Sequence, residues 1–461
     1  MKFYWLKQYF NPNRITTTES LLTGGSFRNL ISSKPIRTII SLFFIILTIL
    51  VISSTLIYSG SSDLRSITLI NRQIPQSSSS ISLPRWAWSY PNGRSDVELG
   101  VDVSRGLEPN YTFDKSSNLY YPPDINPMSL NGYRRANATF VSLVRNEEAL
   151  TIMSSMRAVE DRVNRKLGYP WVFLNNQPFT SDFKRKVSSM TRSKVYFGLI
   201  PNEHWSYPHH INQTRAAESR KKMEENDVIY GGSESYRHMC RYNSGFFFRH
   251  PILLNFDYYW RVEPGVEYYC DMDYDPFLFM EKNKKVYGFT ISLYEYRSTI
   301  ETLWQSTIDF LRQNPDLISD RNSINFLVND RSDRYFRGSD KLKVLDSDYN
   351  LCHFWSNFEV GDLRFWRSEA YLKYFEYLDS RGGFFYERWG DAPVHSIALS
   401  VLLDPSAIHW FEDIGYRHPP FSHCPKDLKK FHHTGKCFCE VSESFDSDGY
   451  SCMSRWWKVP K

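Results

Sequence analysis

Two groups of carboxylates carry the residue types and spacing that chemistry needs. The segment from Tyr259 to Phe277 holds Glu263, Asp271, Asp273 and Asp275. On an extended strand, positions 271, 273 and 275 would share one face. Such oxygens suit a hard divalent cation, Mn2+ or Mg2+, able to bridge a diphosphate. Spacing alone nominates Asp271-Met-Asp273, with solvated or turn carboxylates an equal alternative. The second group, in HFWSNFEVGDLRFW and YERWGDAPVHS, holds Glu359, Asp362, Glu387 and Asp391. Glu359 lies in a strongly apolar, aromatic context, where a carboxylate must have a partner or a raised pKa. Asp391 precedes the helical pattern APVHSIALSVLL, so a helix N-cap is its competing role. On that helix His395 reads as a packed core histidine, whereas His418, in the proline-rich GYRHPPF, is freer to be a ligand. GxGxxG, GxxxxGK and GxSxG motifs are absent, so bound phosphates would need a metal as charge partner.

These side chains need a scaffold, and the apolar pattern supplies one from Ala138 onward. TFVSLVR reads as a buried strand ending at Arg145, residues 147–166 as a helix, and YPWVFLNN and SKVYFGLI as two further strands. This alternation predicts a βαβ unit, hence a parallel sheet covered by helices. KKVYGFTISL continues it as a strand and STIETLWQSTIDFLRQ as a helix, giving an α/β body of roughly 330 residues. Ligands of such sheets bind beyond the carboxyl ends of the strands, which places Arg145 and the residues just after Asn176 near the expected cleft. FDYYWRVEPGVEYYC and FFYERW set tyrosine and tryptophan beside charge, as core packing or as flat surfaces for sugars and bases.

Ahead of the body, the net charge of +5 becomes a topology signal. Residues 1–37 hold six basic side chains and one acid, so the whole surplus sits there; fifty of each sign remain beyond it. Thr38 to Tyr58 is an uncharged run of 21 residues, long enough as a helix, at roughly 30 Å, to cross a bilayer core. The positive-inside rule makes residues 1–37 a cytosolic tail and 38–58 a single-pass type II anchor, with the bulk of the chain lumenal. Residues 59–133, with the Ser77–Ser80 run and several prolines, read as a stem. All seven cysteines and three sequons, at Asn110, Asn137 and Asn212, lie beyond the anchor, as an oxidising, glycosylating compartment requires. Seven is odd, so at least one thiol is free or pairs between chains, and the spacing of Cys437 and Cys439 argues for disulfides rather than zinc.

The stretch YNLCHFWSNFEVGDLRFWRSEAYLKYFEYLDSRGGFFYERWGDAPVHSI, then HWFEDIGYRHPPFSHCP, resembles the fungal Golgi α-1,2-mannosyltransferase family, glycosyltransferase family 15. ATFVSLVRN, YRHMCRYNSGFF and YYWRVEPGVEYYCDMDYDPF match the same family, so the resemblance covers about residues 134–461. It implies an α/β, GT-A-like nucleotide-sugar-binding domain on a type II anchor in the Golgi membrane. It implies retaining transfer of mannose from GDP-mannose to a mannose acceptor in N- or O-linked glycosylation, with Mn2+ as cofactor. It also moves the metal site from Asp271 and Asp273 to Glu263 of the RVEP motif and His418 of the IGYxH motif. Glu359 then corresponds to the family's proposed nucleophile or oxocarbenium stabiliser, and Tyr236 and Asp391 match positions near the reacting sugars. Arg145 and Arg261 are donor-binding candidates, since arginine suits phosphates. The alternatives are mannosylphosphate transfer, to which some relatives are tied, and a non-catalytic Golgi protein that keeps the fold. The GVEYYCDMDYDPF portion and the segment Arg321 to Asp348 look long or divergent beside the family pattern, which leaves the acceptor open.

Overall fold

The computed structural model describes residues 134–329, 341 and 346–460. The tail (1–37), anchor (38–58) and stem (59–133) lie outside the described residues, as does Asn110. Among the described residues, no helix is long and apolar enough to cross a membrane.

The βαβ expectation holds at the start of the body. Strands β1 (Ala138–Leu143), β2 (Trp171–Asn175) and β3 (Val195–Leu199) pair in parallel, with Phe140 opposite Trp171 and Val172 opposite Tyr196. Helix α1 (Ala149–Val159) joins β1 to β2; its path continues through a wider turn at Glu160–Asn164 and ends where Gly168 takes φ 70°, in the left-handed region. Helix α2 (Ser181–Ser188) joins β2 to β3 and is capped by Thr180 Oγ1, which accepts from Phe183 N at 3.1 Å.

Among the described residues the main sheet has seven strands, in the order β10 (Ile408–Trp410), β6 (Tyr287–Phe289), β9 (Phe358–Asp362), β4 (Tyr258–Val262), β1, β2, β3. Strand β4 runs parallel to β1. Strand β9 lies antiparallel between β4 and β6, while β10 is parallel to β6. The sheet is therefore mixed, which corrects the expectation of a parallel sheet. Every residue of β9 is buried, as on a parallel strand, so its apolar pattern carries no direction. KKVYGFTISL is two strands rather than one: the chain breaks after Phe289, and β7 (Ser292–Tyr294) pairs instead with β8 (Cys352–Phe354) in a small second sheet. A third sheet, β12-β11-β5, is built from β5 (Glu267–Tyr268), β11 (Tyr416–His418) and β12 (Phe421–His423).

The longer of the remaining helices among the described residues are α3 (Gln213–Glu225), α4 (Glu234–Gly245), α5 (Pro276–Lys282), α6 (Leu303–Gln313), α7 (Glu369–Arg381) and α8 (Asp391–Leu402). Helix α4 is tied to α7 by a bidentate pair in which Arg241 donates to both Asp379 oxygens, at 2.7 and 2.8 Å. Helix α8 is buried from Asp391 to Val401 and packs on α4 and β8. Three disulfides, Cys270–Cys437, Cys352–Cys452 and Cys424–Cys439, secure the body, and Cys240 is a free, buried thiol. The sequon residues Asn137 and Asn212 are both exposed.

Candidate functional site

Arg261 and Glu359 come together through register. Arg261, fourth in β4, is the cross-strand partner of Glu359, second in β9, so both side chains leave the same face of the sheet. Asp391 opens α8 above that face. Its guanidinium partner is again Arg261, which donates from Nη1 to Asp391 Oδ2 at 2.6 Å and from Nη2 to Glu263 Oε1 at 2.5 Å. Glu359 Oε1 lies 3.7 Å from the same Nη1. One arginine thus faces three carboxylates. Burial works against the charge of Arg261, yet Asp391, Glu263 and Glu359 together hold it well above its ordinary range.

Asp391 is not a helix cap. Gly390 occupies the cap position, and Asp391 is the first helical residue. Its Oδ2 accepts from Arg261 and, at 2.9 Å, from Ser356 Oγ. Burial would raise its carboxyl, but Arg261, His395 and Ser356 outweigh burial and bring it below the usual range.

Glu359 is fully buried. Tyr287 Oη donates to its Oε2 at 3.2 Å, and His395 Nδ1 lies 3.1 Å from the same oxygen. Burial, then the Glu359 charge, pushes the phenols of Tyr287 and Tyr259 well above their usual range, so both face the carboxylate as neutral hydroxyls.

Glu263 follows β4 directly, and His418 ends β11; the third sheet brings them within 3.8 Å, Nε2 to Oε2. Both side chains remain about a quarter exposed. His418 Nδ1 sits 3.1 Å from the Pro419 carbonyl. A carbonyl only accepts, so Nδ1 carries a hydrogen, which leaves Nε2 on the Glu263 side. The pair offers one nitrogen and one carboxylate, the donor types that suit a borderline divalent ion. Among the described residues, no three His, Cys, Asp or Glu side chains are grouped to hold an ion by themselves.

The Asp271, Asp273 and Asp275 carboxylates do not form a site. Asp271 pairs with Arg162 at 2.6 Å, Asp273 pairs with Lys436, and Asp275 caps α5 through the Phe277 and Leu278 amides. Glu387 accepts from Thr302 and from Trp389 Nε1, and Asp362 pairs with Arg364; both are structural.

Tyr236 lies on α4 beside this group. Its ring stacks on Tyr230 at 4.4 Å, and the Arg388 guanidinium sits 5.1 Å from its centroid. Burial, with the nearby Cys240, lifts the phenol well above its usual range, so Tyr236 is a neutral donor. Arg145 donates to Ser235 Oγ at 2.9 Å and lines a cleft of about 260 Å³ with Asn146, Asn175, Gln177 and Trp205, at the carboxyl ends of β1 and β2. Sequence reasoning missed Tyr287, Ser356 and Arg388. Tyr287 and Ser356 sit in segments read only as strand or apolar context, and no local signal marks any of the three.

A mixed sheet with helices over its faces, and a charged cluster at the end of β4, fits the fold of an α/β glycosyltransferase. Residues 108–461 match the family described as Glycolipid 2-alpha-mannosyltransferase, and the chain belongs to that family. The match begins within the segment read as a stem. A glycolipid 2-alpha-mannosyltransferase of Saccharomyces cerevisiae is 50% identical over 333 residues, 72% of each chain. Glycolipid 2-alpha-mannosyltransferase 1 of Candida albicans is 51% identical over 371 residues, 80% of this chain and 83% of the relative. Core-mannan synthase A (CmsA/Ktr4) of Aspergillus fumigatus, solved in an Mn/GDP form, superposes with a TM-score of 0.65 at 43% identity, covering 74% of this chain and 90% of its own.

Proposed function

We propose that this protein transfers mannose from GDP-mannose to a mannose-terminated glycan, forming an α-1,2 linkage with retention at the anomeric carbon. The observation that carries the reading is the buried Glu359 held against Arg261, next to the open Glu263–His418 pair. The names of the relatives and the Mn/GDP form of the Aspergillus enzyme support the donor and the metal. Residues 1–37 would be cytosolic, 38–58 the anchor and 59–133 the stem of a type II Golgi protein, a reading that rests on the charge and apolar pattern.

Glu263 and His418 would hold Mn2+, and the ion would supply positive charge for the diphosphate of the donor. Arg261 ties Glu263, Asp391 and Glu359 into one rigid group, so the carboxylates do not repel each other out of position. Glu359 acts on the anomeric carbon, either as a nucleophile or by stabilising positive charge during same-face departure and attack. Tyr236, a neutral hydroxyl, and Asp391 orient the reacting sugars. Arg145 binds the donor from the neighbouring cleft.

The test is turnover by the detergent-solubilised full chain with GDP-mannose, Mn2+ and a panel of mannosides, read by product mass. Transfer of one hexose unit is expected, and Glu359→Gln should lower kcat by about 100-fold or more. A product heavier by an additional phosphate would replace this reading with mannosylphosphate transfer. No transfer to any mannoside by protein that binds GDP would end it.

A further inference from the structure

One buried titratable group beside Glu359 has no role in that scheme. His395 is the fifth residue of α8, one turn after Asp391, so the two share a helix face. Its ring is fully buried and lies 4.2 Å, centroid to centroid, from Trp366. Both ring nitrogens meet acceptors. Nε2 is 3.2 Å from the Asn243 carbonyl oxygen, and Nδ1 is 3.1 Å from Glu359 Oε2.

The carbonyl can only accept, so Nε2 carries a hydrogen. A neutral imidazole in that tautomer would turn the Nδ1 lone pair toward a carboxylate that has only lone pairs to offer in return. The Nδ1···Oε2 contact therefore holds a second hydrogen, shared by the two groups. Asn243 lies in the last turn of α4, where carbonyls lack intrahelical donors and the helix dipole is negative. That end of α4 strengthens the hydrogen bond from Nε2. Tyr287 Oη donates to Oε2 as well, so this oxygen is held from two directions while Oε1 stays on the Arg261 side.

We propose that His395 is a positioning residue for Glu359: its Nδ1 hydrogen fixes Oε2 and so leaves Oε1 oriented toward the reacting sugar. The proposal rests on the reading that Glu359 acts at the anomeric carbon. A histidine that merely fills core volume would leave turnover indifferent to which nitrogen is kept.

Two substitutions keep opposite halves of the bridge. Asparagine places its amide nitrogen near the position of Nδ1, and glutamine places its own near Nε2. In the full chain with Mn2+, His395→Asn should keep kcat within about 10-fold of wild type, and His395→Gln should lose about 100-fold, the scale of a misplaced reacting group. The dissociation constant for GDP should stay within about threefold in both, which also reports a folded site, and His395→Gln should add little to Glu359→Gln. Equal kcat for the two His395 variants, or losses that add to Glu359→Gln, would overturn the assignment. Full turnover by Glu359→Gln alone would instead remove the role of Glu359, and His395's with it.

Discussion

Arg261 answers three carboxylates with one charge, and removing it exposes what each residue of the cluster contributes. Arg261→Met leaves Glu263, Glu359 and Asp391 facing one another in a largely buried pocket. The folded state should lose about 3–5 kcal/mol, the cost of stripping a buried ion group of its counter-charge, read as a lower urea midpoint. His418→Ala should behave in the opposite way. The ring is partly exposed, and its one direct hydrogen bond joins it to the next residue, so stability should change by no more than about 0.5 kcal/mol. The Mn2+ concentration for half-maximal turnover should rise about 10-fold or more. A stability loss without a change in Mn2+ requirement would remove His418 from the metal site. Arg261, Glu263, Glu359, Asp391 and His418 were all legible because each sits in a distinctive motif. Tyr287 and Ser356 were not, since they reach the cluster only through strand register and a turn that no local pattern encodes.

At the level of elements, the strand that carries His418 depends on a second buried pair. His423, on β12, pairs through Tyr416 with β11. Its Nδ1 donates to Asp446 at 2.9 Å and its Nε2 to the Glu412 carbonyl at 2.9 Å, so the ring bridges two segments as an imidazolium. Burial opposes that charge, but Asp446 and the Glu412 carbonyl outweigh it and raise the imidazole above its ordinary 6.5; Asp413 also faces it. A raised folded-state pKa means stability that is complete below about pH 6.5 and lost as pH climbs through the folded value. Thermal unfolding of the wild type should therefore show a decline on the alkaline side of pH 6.5, and His423→Gln should flatten it. An unchanged slope in that variant would assign the decline to another group. The same contrast governs legibility. β1, α1, β2 and β3 follow from short-range periodicity, whereas the antiparallel direction of β9 depends on a long excursion that no periodicity records.

For the whole molecule, charge is distributed in a way that constrains how a nucleotide can bind. The surplus of +5 lies entirely before residue 38, and beyond it the two signs balance, so the body has no long-range field to draw in a polyanion. The site adds little. Arg261 is already answered by three carboxylates, and Arg388 faces Glu295 at 3.5 Å. Among the described residues of the site, Arg145 is bonded to the neutral Ser235 and so is a cation open to a phosphate. A diphosphate entering beside Glu263, Glu359 and Asp391 would meet more negative than positive charge, and on the proposed reading a divalent ion would supply the balance. Chelating the metal should weaken GDP binding by about 100-fold, roughly 2.7 kcal/mol. Raising monovalent salt from about 0.05 to 0.3 M should change it by no more than about threefold, because contact charges are screened far less than a diffuse field. Calorimetric titration of GDP into the full chain, with and without chelator, separates the two terms. Metal-free affinity equal to that with Mn2+, or a steep salt dependence, would mean that a basic surface rather than the Glu263–His418 pair holds the diphosphate.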